Sequence, residues 1–138
     1  MHTRAIAYWA TTAVLVFAVV SGGVGELTHE WGTLETVQVL GYPVYFLTIL
    51  GLWKVLGGMA LLLPLFPQLR EWAYAGIFFN MTGAAASHVL AADSGPFAFH
   101  VVVTLALAGL ALAARALQPH GTLPSAALHA TGRLAPAR

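Results

Sequence analysis

Long uninterrupted apolar runs alternate with short polar breaks along this chain. The runs cover residues of about 5–22, 43–63, 72–91 and 97–117. Each has roughly the 20 residues that carry a helix across about 30 Å of hydrocarbon. Open strands of that length would leave backbone groups unpaired in lipid. The pattern therefore predicts an all-α domain over residues 1–117, an antiparallel four-helix transmembrane bundle, followed by a poorly ordered cytoplasmic tail over 118–138 that is rich in Pro, Gly and Ala.

The breaks support this division. "PLFPQLRE" places Pro64 and Pro67 at a tight reversal, and "ADSGP" supplies turn residues before Pro96 at the opening of the last helix. The longer first connection, residues 23–42, contains a short amphipathic stretch in which Thr33 is the expected cap and Leu34, Val37 and Leu40 share one face. Arg4 followed by the first apolar run and "VSGGVG" also fits a cleavable leader, but a retained span is the expectation taken here.

Composition sharpens the class. Of 138 residues, 59% are hydrophobic and 8% charged, against about a quarter charged in soluble domains. The chain has no cysteine, which excludes disulfides, thiolate metal sites and a thiol relay of its own. No phosphate loop, nucleophile elbow or nucleic-acid patch is present. If helices alternate, Arg4, Arg70, Arg115, Arg133 and Arg138 fall on one side, which predicts cytoplasmic N- and C-termini in a multi-pass protein of the cell membrane. Tyr8, Trp9, Tyr42, Trp72 and Tyr74 lie near span ends and are expected in interfacial belts.

Lys54 breaks the pattern. Counted inward from Pro43 it is about 16 Å deep, near the bilayer centre, where a lysine is disfavoured by roughly 3 kcal/mol and should point into the bundle. The third span presents Asn80, Gly83, Ala84 and Ser87 at helical spacing with His88 beside them, so Asn80 is the expected partner for the ammonium. Lys54, Asn80, Ser87 and His88 are thus the candidate ligand-binding residues. Glu26, His29 and Asp93 form a candidate polar cluster at an outer mouth. Interhelical hydrogen bonding alone stays open for Asn80 and Ser87. Glu26 and His29 have the Glu-x-x-His spacing of di-iron bundles, but the matching second pair is missing, so no metal is assigned. A mononuclear set of His29, His88 and Asp93 stays as a minor alternative. His100 reads as interfacial, and Glu71 as a carboxylate at the start of the third helix.

"LGYP" at 40–43, "WKVLGG", "LLLPLFPQLREWAYAG" at 61–76 and "TGAAASH" at 82–88 resemble the DoxX-like family of small four-helix membrane proteins. By that resemblance Lys54, Glu71, Trp72, Tyr74, His88 and Asp93 match positions of the family pattern. Better-known relatives are associated with quinone-linked sulfur oxidation, oxidative-stress complexes or receptor assembly. The resemblance implies a redox or respiratory-chain component that holds a quinone or similar small apolar ligand, with no reaction of its own assigned unless it belongs to a quinone-linked oxidoreductase. Two other classes stay open: a non-catalytic assembly partner for another membrane protein or a second copy, and a small permease. The bilayer is an expected partner; nucleic acid is not.

Overall fold

A computed structural model describes residues 2–63, 66–91 and 97–119, which form five helices and no strand. They are α1 (His2–Thr28), α2 (Thr33–Val39), α3 (Tyr45–Leu62), α4 (Pro67–Leu90) and α5 (Phe97–Leu117). Pro64, the "ADSGP" turn with Asp93 and Pro96, and the tail from His120 onward lie outside the described residues.

Two helices are longer than the hydrophobic runs suggest, and each extension has a physical cause. The glycines of "VSGGVGEL" do not end α1; at Gly23 and Gly25 other groups sit where a side chain would be. A Cβ on Gly23 would lie 2.9 Å from the Gly51 carbonyl oxygen, and one on Gly51 would lie 2.6 Å from that of Gly23. The two backbones therefore touch, as small residues allow between helices in lipid. At the other extension, Pro67 occupies the first turn of α4, where its fixed φ is favourable and its missing N–H costs nothing. Helix α4 thus starts ahead of Trp72.

Helix α1 packs on α3 and α5, and α4 packs on the same two, leaving α1 and α4 diagonally opposed. Helices α1 and α3 run in opposite directions, since Leu27 lies against Gly51 while Val20 and Val16 lie against Gly58. The middle of the core is an apolar layer of Leu15, Val19, Leu61, Ile77 and Met81. Helix α5 contributes Ala108, Ala111 and Ala114, which at three-residue spacing form a narrow stripe that leaves room for larger rings. Tyr8 and Tyr74 fill that room. Both are only 2% exposed, so they belong to the core rather than to the expected interfacial belt, whereas Trp9 and Trp72 do face outward.

Ile6, Phe17, Phe79 and Leu90 are exposed. Such an apolar exterior suits lipid, which makes no demand for surface polarity. Helices α1, α3 and α5 are long and apolar enough to cross a membrane. Helix α4 carries Arg70, Glu71, Asn80 and His88 and is less apolar.

The connection to α2 is a tight turn with left-handed backbone at His29, Trp31 and Gly32. The Trp31 ring seats on Gly25, where a Cβ would come within 2.6 Å of it. Gly32, not Thr33, is the cap of α2; the Thr33 hydroxyl instead donates to the Gly25 carbonyl at 3.1 Å. Val37 is buried and Leu34 and Leu40 are half-buried, which bears out the shared face.

Gly51→Ala should lower stability by about 1–3 kcal/mol through the backbone clash with α1. Gly57→Ala, at a position with open space around its Cβ, should not. Unfolding of both variants in mixed micelles tests the contrast; equal midpoints would refute the close approach.

Candidate functional site

A lysine inside an apolar bundle requires a neutralising partner. The Lys54 ammonium donates to Glu26 Oε1, forming an ion pair whose side chains are 15% and 12% exposed. This corrects the expectation that Asn80 answers the charge. Because α1 continues to Thr28, Glu26 lies on that helix and less than one turn from its end. Lys54 lies midway along α3, and its Cβ packs at Gly23, one and a half turns before the end of α1. Gly23 makes the pair possible. Its missing side chain lets the Lys54 Cβ come near α1, where a Cβ on Gly23 would lie 2.9 Å away.

Glu26 Oε2 is buried with no hydrogen-bond partner among the described residues. The ammonium has three donors, so engagement with one carboxylate oxygen leaves further capacity on both members of the pair.

Lys54 and Asn80 line the same groove, about 540 Å³ in volume, between α3 and α4. Its other walls include Leu50, Trp53, Leu56, Gly57, Leu69, Trp72, Gly76, Ile77, Phe79 and Met81. Gly57 and Gly76 have nothing near the places their side chains would take, and so leave the groove open. Trp53, Trp72 and Phe79 are exposed, so the groove opens sideways across the helix pair and not only toward a helix end. A second hollow lined by Phe66, Pro67, Gln68, Leu69 and Trp72 shares two residues with it and continues toward the start of α4.

The remaining candidates lie elsewhere. Ser87 donates to the Gly83 carbonyl at 2.9 Å and accepts from the Tyr42 hydroxyl at 2.9 Å, tying α4 to the start of α3. Tyr42 also stacks on Phe46, with ring centroids 4.9 Å apart. His88 is buried and stacks on His100 at 4.8 Å and 12°, so His100 is half-buried against α4 rather than purely interfacial. His29 is exposed on the turn after α1. Among the described residues no three His, Asp or Glu side chains converge as a metal set would require. Asp93 lies outside those residues.

Glu71 is not at the start of its helix. It accepts from Arg115 Nε at 2.6 Å, and this exposed pair joins α4 to the end of α5. Sequence reasoning missed Glu26 as the partner of Lys54 because the first apolar run ends near residue 22, which put Glu26 in the connection. A lysine and a glutamate each embedded among small residues were the available signal.

The sequence model of the DoxX-like family matches residues 10–114. No curated protein and no solved structure matches the chain significantly.

Removing one member of a buried pair strands the other charge at a cost of about 3–5 kcal/mol, whereas replacing both with apolar groups is often neutral. Lys54→Met should therefore destabilise the protein strongly, and Lys54→Met with Glu26→Leu should recover most of the loss. Additive losses in a double-mutant unfolding cycle would refute the pairing.

Proposed function

This chain belongs to the DoxX-like family, and from that premise we propose that it is a multi-pass protein of the cell membrane that holds a quinone or similar small apolar carbonyl compound in the α3–α4 groove. Helices α1, α3, α4 and α5 cross as an antiparallel four-helix bundle with both termini cytoplasmic. Arg4, Arg70 and Arg115 at one end of the bundle support that orientation.

The observation that carries the reading is the groove itself. Its walls are almost entirely aliphatic and aromatic, and the side-chain hydrogen-bonding groups named in them are the Lys54 ammonium, the Asn80 amide and the Trp indoles. Pockets for small apolar ligands have this composition, with a few polar groups that fix orientation. An acceptor oxygen on the ligand head would take an N–H from Lys54 or Asn80, and the body would lie along Trp72 and Phe79. Glu26 holds the Lys54 side chain in place. The protein would serve a redox or respiratory assembly by presenting such a ligand. Ser87 and His88 lie outside this groove and take a structural part in the reading.

A second reading rests on the sideways opening. Exposed Trp53, Trp72 and Phe79 flanking a furrow could seat a helix of another membrane protein, so that the polar pair would only set register.

Gly57→Leu and Gly76→Leu add bulk to the groove from positions where a Cβ has open space around it. Each should leave the fold intact and reduce co-purifying carbonyl-headed lipid at least about tenfold, the change produced by about 1.4 kcal/mol of lost binding. Solvent extraction and mass spectrometry of gently solubilised protein provide the readout. Unchanged lipid occupancy would overturn the ligand reading, and a stoichiometric protein partner lost from both variants would establish the second.

A further inference from the structure

At the arginine-bearing end of the bundle, far from Lys54, the diagonal helices α1 and α4 send two pairs of side chains toward the bundle axis. Tyr8 and Thr12 are one turn apart on α1, and Arg70 and Tyr74 one turn apart on α4. Tyr8, Thr12 and Tyr74 are 2%, 0% and 2% exposed. Arg70 Nη1 donates to the Tyr8 hydroxyl at 3.4 Å and Nη2 to the Leu63 carbonyl at 3.4 Å. The Tyr74 hydroxyl faces those of Tyr8 and Thr12, with Arg70 close by, yet it reaches hydrogen-bond geometry with none of them. Thr12 Oγ1, Tyr74 OH and Arg70 Nε are all buried without a partner among the described residues.

This set has a definite chemistry. The guanidinium is donor-only, and the three hydroxyls can each turn a proton inward. Buried groups of this kind are normally satisfied, and leaving one unmet costs about 1–3 kcal/mol. Both acceptors that Arg70 does have are neutral. The neighbouring carboxylate, Glu71, is taken by Arg115. A water molecule would meet the hydroxyls but bring no counter-charge to the partly buried guanidinium. An oxyanion would meet both needs. Helix α5 faces the set with alanines.

We propose that Tyr8, Thr12, Arg70 and Tyr74 form a second binding site, for a carboxylate or phosphate oxyanion, at the arginine-bearing end. Thr12 and Glu26 are about 21 Å apart along α1 at the helical rise, and the apolar layer of Leu15, Val19, Leu61, Ile77 and Met81 lies between them. The site is therefore remote from the Lys54–Glu26 pair, and it does not rest on the function proposed for the groove. Its ligand is either the phosphate of an anionic lipid headgroup or a free oxyanion.

The full chain is placed in phosphatidylcholine vesicles, in vesicles containing one quarter phosphatidylglycerol, and in phosphatidylcholine vesicles with inorganic phosphate against chloride of equal ionic strength. The thermal midpoint should rise by about 5 °C with one of the two phosphate sources. A rise with phosphatidylglycerol alone assigns the lipid headgroup, and a rise with inorganic phosphate assigns the free anion. Tyr74→Phe and Thr12→Val, which keep shape and charge, should remove most of the rise, as should Arg70→Gln. Arg4→Gln, an exposed arginine at the same end, should keep it. No rise in either arm, or a rise that survives both hydroxyl variants, would overturn the proposal.

Discussion

The structure depends on neutralising a cation inside an apolar bundle. Lys54 cannot reach its carboxylate unless α1 and α3 approach closely, and they approach because Gly23 and Gly51 leave their backbones bare at the contact. The ion pair and the glycine contact are thus one feature. Either alone would be unfavourable: glycines weaken a helix by about 1 kcal/mol each relative to alanine, and an unpaired lysine costs more. Together they fix the register of α1 on α3, and that register fixes where the α3–α4 groove has its polar wall.

Large side chains are distributed to suit this scaffold. Helix α5 presents alanines to the core, so the tyrosines of α1 and α4 can meet across the axis at one end. At the other end the Trp31 ring covers Gly25, and the Tyr42–Ser87 bond ties the entry of α3 to α4. The polar side chains of α4 have different surroundings: Arg70 reaches Tyr8, Glu71 holds Arg115, Asn80 lines the groove and His88 stacks on His100. Their number explains why this helix is less apolar than its three long neighbours, and why it depends on them for shielding.

The helical class, the three strongly apolar segments and the unusual position of Lys54 were legible in the sequence because run length and the cost of a buried charge are local properties. The partner of Lys54 was not. The first apolar run ends near residue 22, so Glu26 reads as part of the connection until α3 is placed beside Gly23. Tyr8 and Tyr74 read as belt residues because span-end aromatics usually are; only the alanine stripe on α5 reveals the room that draws them inward. Lys54 and Asn80, which the sequence singled out, do share a groove, but Ser87 and His88 face other neighbours because their contacts depend on Tyr42 and on α5.

The layer of Leu15, Val19, Leu61, Ile77 and Met81 has an electrical consequence. Charged and hydroxyl-bearing groups collect above and below it, while within it no side chain can pass a proton along. Were the helices to cross an energised membrane, much of the voltage within the core would fall across this layer. Ionised groups would then stand at two levels with an apolar layer between them.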